Sequence, residues 1–338
     1  MIVLEATASD EQLQAILERV QDLGLQAQVS HGVDRTVVGL AGHEYGPELE
    51  AVAAMAGVER VIRVLHQHPL ASRDFHPGDR VIELPNGARL GGEEVLTMAG
   101  PCAVESRAQL QAAAEAVAGQ GVRVLRGGAF KPRTSPYSFQ GLGESGLHLL
   151  REVADDLGLC VVTEVLAPED VELVARFADI LQVGARNMQN YRLLEACARV
   201  QRPVLLKRGM SSTVEEWLQA AEYILVGGNL DVALCERGTR GFEPLVRFSL
   251  DITSVPVLKR LSSLPVVVDP SHAAGNSAYV GAIALGAVAA GADALLVEVH
   301  PNPAEALSDG AQSLSPAAFA ELMASVRRVA EAVGRRAA

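Results

Sequence analysis

Hydrophobic and polar positions follow two different rhythms along this chain. Before residue 66, a short apolar run at Ile2–Ala6 leads into Leu13, Ile16, Leu17, Val20 and Leu23, which share one face of a helix. Two strand-like runs come next, Gln26–Ser30 and Thr36–Leu40, around the turn-forming His31-Gly32-Val33-Asp34. A helix over Pro47–Met55 and a strand over Val58–Val64 complete the order β-α-β-β-α-β, the ferredoxin-like split βαβ. Residues 1–65 carry no catalytic constellation, so they read as a regulatory or interface-forming domain. Residues 66–79, rich in His, Pro and charge, read as a linker. His66 and His68 can share a strand face there, but no third ligand stands at a metal-binding spacing.

Residues 80–338 read as a second domain. It opens with a hairpin over Arg80–Leu90, around Pro85-Asn86-Gly87, able to close one end of the domain. Apolar runs then recur at Val95–Ala99, Val122–Leu125, Cys160–Thr163, Ile180–Val183, Pro203–Leu206, Val232–Leu234, Pro265–Val268 and Ala294–Val297. Helical patterns lie between most of them: Ala108–Ala118, Leu147–Leu157, Asp170–Phe177, Tyr191–Val200, Thr213–Val226, Phe248–Lys259 and Ala278–Ala290. Pro316–Val333 is the last, with proline at its start. Eight strand–helix units in about 240 residues match a (β/α)8 TIM barrel in number and size. A doubly wound open sheet shares the alternation. The polar residue just after almost every apolar run favours the barrel, because barrel strand ends converge on one face.

Composition narrows the function. The chain has 338 residues, 49% hydrophobic and 21% charged, with a net charge of −12. That acidity argues against nucleic acid or an anionic membrane as partner. No apolar run approaches the ~20 residues of a membrane span. Glu5, Asp10 and Glu11 replace the positive start of a signal peptide, so a cytoplasmic protein is expected. The four cysteines, 102, 160, 197 and 235, show no CxxC spacing and are expected as thiols.

Against this acidic background, Leu125–Phe139 (LRGGAFKPRTSPYSF) gathers three cations and several hydroxyls at a strand end. Arg126, Lys131, Arg133, Arg186, Lys207 and Arg237 all stand at or just past the ends of predicted strands, and together would repel one another without an anionic ligand. Taken singly, each also reads as a surface ion-pair partner. Gly184-Ala185 adds backbone N–H donors. A second set, Cys102, His272, Glu298 and Asp309, stands on separate strand ends and can surround a divalent transition metal: Mn, Fe, Co or Zn rather than Mg or Ca. Spacing alone leaves Cys102 equally readable as a small buried residue, and His272 as a hydrogen-bonded loop histidine.

These residues carry a resemblance. Gly100-Pro101-Cys102-Ala103-Val104-Glu105-Ser106, Lys131-Pro132-Arg133-Thr134-Ser135, Gly184-Ala185-Arg186-Asn187, Leu206-Lys207-Arg208-Gly209, Cys235-Glu236-Arg237-Gly238, Asp269-Pro270-Ser271-His272 and Ser308-Asp309-Gly310 stand in the order found in 3-deoxy-D-arabino-heptulosonate 7-phosphate (DAHP) synthases. With a ferredoxin-like segment in front, the chain resembles their type I beta subgroup. The resemblance implies condensation of phosphoenolpyruvate with D-erythrose 4-phosphate, the first step of the shikimate pathway to chorismate and the aromatic amino acids. It implies a metal, manganese among the candidates, on Cys102, His272, Glu298 and Asp309. Phosphoenolpyruvate would lie on Arg126, Lys131, Arg186, Lys207, Arg237 and the Gly184-Ala185 backbone, and the aldose phosphate on Arg133 and Thr134. Lys131, Glu164 and His272 are the candidates for moving protons. Tyrosine or phenylalanine as feedback inhibitor at residues 1–65, and a homotetramer, are also implied by the resemblance. The alternatives are 3-deoxy-manno-octulosonate 8-phosphate synthase, which takes arabinose 5-phosphate, and a non-catalytic sugar-phosphate sensor. The first usually carries a Lys-Ala-Asn-Arg type of loop where this chain has Lys131-Pro132-Arg133-Thr134. The second would lack a ligand or a cation, and none is missing.

Overall fold

A computed structural model describes residues 2–5, 7–31, 36–41, 48–61, 68–132 and 135–337. Two compact units result, one over Met1–Asp79 with Leu261–Ser263, the other over Arg80–Arg260 and Leu264–Ala338. In the first, β1 (Ile2–Leu4), α1 (Asp10–Asp22), β2 (Gln26–His31), β3 (Thr36–Ala41), α2 (Glu48–Ala53) and β4 (Val58–Val61) form a four-stranded sheet of order β2-β3-β1-β4. All its pairings are antiparallel, as a ferredoxin-like fold requires. Ser9 starts α1 with a reciprocal capping box to Gln12. Ile16 and Val20 then pack against Ile2, Leu4 and Val38. The period of the sequence and the buried face of α1 agree.

The second unit begins with the hairpin β5 (Ile82–Glu83) and β6 (Arg89–Leu90). Eight parallel strands come after it: β7 (Glu94–Gly100), β8 (Val124–Arg126), β9 (Cys160–Val165), β10 (Ile180–Val183), β11 (Val204–Lys207), β12 (Val232–Glu236), β13 (Val266–Val268) and β14 (Ala294–Glu298). β14 pairs back onto β7, with Glu298 opposite Gly100, and closes a TIM barrel. Near-continuous burial of these strands explains their Val- and Leu-rich runs, because both faces are covered. The helices between them are α3 (Arg107–Ala118), α4 (Glu144–Asp156), α5 (Val171–Ala175), α6 (Tyr191–Arg199), α7 (Val214–Val226), α8 (Ser254–Leu261), α9 (Pro270–Ala274) and α10 (Ser277–Ala289). α11 (Pro316–Ala332) and a short β15 (Arg336–Ala337) end the described chain.

Three details depart from the periodicity. The helix expected over Asp170–Phe177 is only the five-residue α5, after a 3-10 turn at Pro168–Asp170. The helix expected from Phe248 starts at Ser254, because Phe248 and Ser249 are tied into loop pairings with Ala273 and Thr239. α9 is too short to show a period. Asp269 builds it by capping the His272 amide at 2.9 Å, with Pro270 at the first helical position.

The hairpin is the floor of the barrel. Ile82, Leu84, Ala88 and Leu90 join Leu96, Met98, Val124, Cys160, Val162 and Leu296 in one buried cluster. The Asn86 amide donates to the carbonyls of Arg123 and Gly158, just before β8 and β9, at 2.9 and 3.1 Å. With one end filled, the site can only open at the other. Leu90 is fully buried, so Leu90→Ala should cost about 2–5 kcal/mol of stability. The midpoint of urea unfolding checks this, and a loss below about 0.5 kcal/mol would mean that the hairpin does not pack as a floor.

Candidate active site

The carboxyl ends of the strands surround a cavity of about 290 Å³. β8 and its loop bring Arg126 and Lys131 to it, and β9 brings Glu164. β10 brings Gly184, Ala185 and Arg186, β11 brings Lys207 and β12 brings Arg237, while His272 comes from α9, just after β13, and Asp309 from the loop after β14. Cys102, after β7, and Glu298, at the end of β14, are buried at 1% exposure against this wall. Arg133 and Thr134 lie outside the described residues; Pro132 and Ser135, on either side of them, line the cavity. Gly184 lets Glu164 lie against the backbone: a Cβ there would meet Glu164 Oε1 and push that carboxylate aside.

One part of the wall gathers electron-rich atoms. One donor atom each from Cys102, His272, Glu298 and Asp309 lie within 4.8 Å of one another. The His272 Nδ1 lies 2.7 Å from Asp269 Oδ2. Asp269 is held well below the usual carboxylate range, since His272 and Lys207 outweigh the upward push of burial. An ionised Asp269 accepts the Nδ1 proton, leaving Nε2 with a bare lone pair 3.4 Å from Glu298 Oε1 and 4.0 Å from Asp309 Oδ2. Burial outweighs Asp269 and Glu298 and lowers the His272 pKa, which keeps the ring neutral. Burial pushes Asp309 up as well, but His272, Arg247 and Lys131 prevail and hold its carboxyl at about 2. Glu298 is likewise lowered, by His272 and Arg126 against burial. Burial, with Glu298 adding to it, drives the Cys102 thiol up to about 11. A thiol, a neutral imidazole and two carboxylates facing one point match the donor chemistry of a divalent transition metal. The carboxylate behind the imidazole fixes its tautomer for that purpose. Asp309 sits at φ 54°, a left-handed conformation that aspartate tolerates better than most residues.

The cations adjoin this cluster, and they do not repel one another as the sequence implied. Lys207 pairs with Asp269 at 2.6 Å, and Arg126 pairs with Glu298 at 3.0 Å. Lys131 Nζ lies 3.0 Å from both Cys102 Sγ and the Cys102 carbonyl. Arg126 and Lys207 are thus neutralised in part by carboxylates, while Lys131 hydrogen-bonds a neutral thiol and a carbonyl. Arg186 and Arg237 have no ion pair among the described residues. Arg126 Nε and Arg237 Nη1 are buried without a hydrogen-bond partner among the described residues.

Several participants carry no signal in the spacing. Asp269 ties His272, three positions on, to Lys207, 62 positions back. Gln312 donates to Glu298 at 2.7 Å and accepts from Arg247 at 2.9 Å. Arg247 and Phe248 line the cavity from a loop read as the start of a helix. Arg208, next to Lys207, instead pairs with buried Glu236 and with Asp251. Glu105 and His300, both at strand ends, face each other at 3.4 Å, and Glu105 also accepts from the Leu307 amide.

Two family models match. Residues 79–334 match the DAHP synthetase I family, and residues 1–66 match the DAHP synthase ferredoxin-like domain. Over 334 residues the chain is 46% identical to phospho-2-dehydro-3-deoxyheptonate aldolase of Thermotoga maritima, covering 99% of this chain and 98% of that protein. The crystal structure of that aldolase superposes with a TM-score of 0.80 over 100% of this chain and 98% of the other. A 2-dehydro-3-deoxyphosphooctonate aldolase of Acidithiobacillus ferrooxidans is 34% identical over 63% of this chain and 81% of its own length.

The protonation states make the cluster testable without turnover. At pH 8 only Cys102 still holds a proton that a metal must displace. Adding manganese or zinc to chelator-treated protein should therefore release one proton per site, read with an indicator dye. Metal affinity should rise about tenfold per pH unit below the thiol pKa. Cys102→Ala should abolish the release, and wild-type protein that binds metal without releasing a proton would contradict the assignment.

Proposed function

Because the chain belongs to the DAHP synthetase I family, we propose that it condenses phosphoenolpyruvate with D-erythrose 4-phosphate and water, giving DAHP and inorganic phosphate. The observation that carries this reading is the meeting, in one cavity, of unpaired guanidinium N–H groups with the Cys102, His272, Glu298 and Asp309 cluster. Phosphoenolpyruvate is held by Arg126, Lys131, Arg186, Lys207 and Arg237, with the Gly184-Ala185 backbone. Arg133 and Thr134 hold the phosphate of the aldose. A divalent metal, manganese in our reading, is held by the four-residue cluster, and when bound it supplies Lewis acidity toward the aldehyde.

The reaction needs two anions side by side, and the cations overcome their repulsion while fixing their orientation. C3 of phosphoenolpyruvate bonds to the aldehyde carbon, and C2 becomes electron-poor. Water adds at C2, and the C2–O bond to phosphate breaks as the ketone forms. Arg186 and Arg237, with no carboxylate partner among the described residues, are suited to the charge that grows on the leaving phosphate. Lys131 stays charged, since its pKa is raised against the effect of burial, and its ammonium is the candidate proton donor. Glu164, held at 3.4 Å by Gln182, faces the same space as a candidate acceptor. With Nδ1 given to Asp269 and Nε2 to the cluster, His272 has no free nitrogen for proton transfer. We therefore assign it to holding the metal.

For residues 1–65 we propose feedback inhibition by tyrosine or phenylalanine, within a cytoplasmic homotetramer. The match to a DAHP synthase ferredoxin-like domain and the lack of catalytic groups there support it. No described helix is long and apolar enough to cross a membrane.

Phosphate release with metal and both substrates is the direct assay. Turnover with erythrose 4-phosphate is expected, and turnover with arabinose 5-phosphate alone would transfer the chain to the octulosonate reaction. No turnover with either would favour a sugar-phosphate sensor. Deleting residues 1–70 should leave turnover and abolish inhibition by the effector; inhibition that survives intact would remove the regulatory role.

A further inference from the structure

Arg237 poses a physical problem. It is 5% exposed, has no ion pair among the described residues, and its Nη1 is buried without a hydrogen-bond partner. Asp269, already shared by Lys207 and His272, is the acidic group that draws it most strongly. A long side chain in that position should collapse toward the carboxylate unless something braces it. The brace is the ring of Phe248, whose centroid lies 4.0 Å from the Arg237 guanidinium carbon. Arg247 approaches the same ring at 5.9 Å while its own guanidinium is engaged by Gln312 and Asp309. The ring is itself fixed. The Phe248 amide donates to the Ala273 carbonyl at 2.9 Å. Gly238, at φ 89°, leaves room for it, since a Cβ there would come within 2.7 Å of Phe248 Cβ.

We propose that Phe248 is a positioning residue for phosphoenolpyruvate binding: its ring holds the Arg237 guanidinium flat, with its free N–H edge toward the substrate phosphate, and keeps it apart from Arg247. A guanidinium stacked on an aromatic face keeps its hydrogen-bonding edge open, which a carboxylate partner would occupy. The ring thus holds the cation without neutralising it. The inference rests on the assignment of Arg237 to phosphoenolpyruvate made under the proposed function.

The test uses full-length, metal-loaded enzyme and the variants Phe248→Leu, Phe248→Tyr and Arg237→Lys. Phe248→Leu removes the π face while staying apolar, and should raise the KM for phosphoenolpyruvate about tenfold. At saturating phosphoenolpyruvate, its kcat/KM for erythrose 4-phosphate should be unchanged. Phe248→Tyr, which keeps the face, should restore the KM to within about twofold of wild type. In an Arg237→Lys background, Phe248→Leu should add little, because the stacked partner is already gone. If Arg237→Lys leaves the KM for phosphoenolpyruvate unchanged, the anion assignment of Arg237 falls and this inference with it. If Arg237→Lys raises that KM but Phe248→Leu does not, only the positioning role falls. Equal losses for both substrates, or failure of tyrosine to rescue, would mark Phe248 as merely structural. Should the leucine variant lose its fold by circular dichroism, Phe248→Met supplies the ringless comparison and the tyrosine variant still decides.

Discussion

The bond between His272 Nδ1 and Asp269 is the constraint on which the barrel mouth depends. It fixes the imidazole tautomer, so Nε2 faces two carboxylates with a lone pair rather than a proton. Three electron-rich groups and a thiol then face one point, a donor set suited to a divalent cation. The same Asp269 oxygen also receives Lys207. One carboxylate therefore joins the half of the site suited to a metal to the half suited to an anion.

That linkage explains how so much buried charge is tolerated at the barrel mouth. Buried cations and carboxylates are costly alone, and are stable when paired and hydrogen-bonded. Here Arg126 lies on Glu298, Lys207 on Asp269 and Lys131 on Cys102, so each cation leans on a member or a neighbour of the ligand cluster. Among the described residues, Arg186 and Arg237 have no carboxylate partner and are the groups most available to a phosphate. The division is electrostatic, and it arises within a chain whose overall charge is −12.

Much of this was legible in the residues. The barrel was, because a polar residue follows almost every apolar run, and convergent strand ends account for that phase better than an open sheet. The four members of the ligand cluster could be named for the same reason, although spacing alone did not separate a ligand from a buried cysteine or a loop histidine. The internal pairing was not legible. Lys207 and Asp269 stand 62 positions apart, and no local pattern links them. Phe248 was hidden by an apolar period that continues into α8, whereas the chain there is a loop tied to Ala273 and Thr239. α9 was missed because five residues held by one cap have no periodicity to read.

The measurement closest to the central claim is an anomalous difference map from crystals soaked with manganese and phosphoenolpyruvate. The account predicts one strong peak among Cys102 Sγ, His272 Nε2 and the Glu298 and Asp309 carboxylates. The substrate phosphate should then contact Arg186 and Arg237 on the other side of the same cavity. A peak bound elsewhere, a Cys102 sulfur outside the coordination sphere, or a phosphate seated away from both arginines would contradict it.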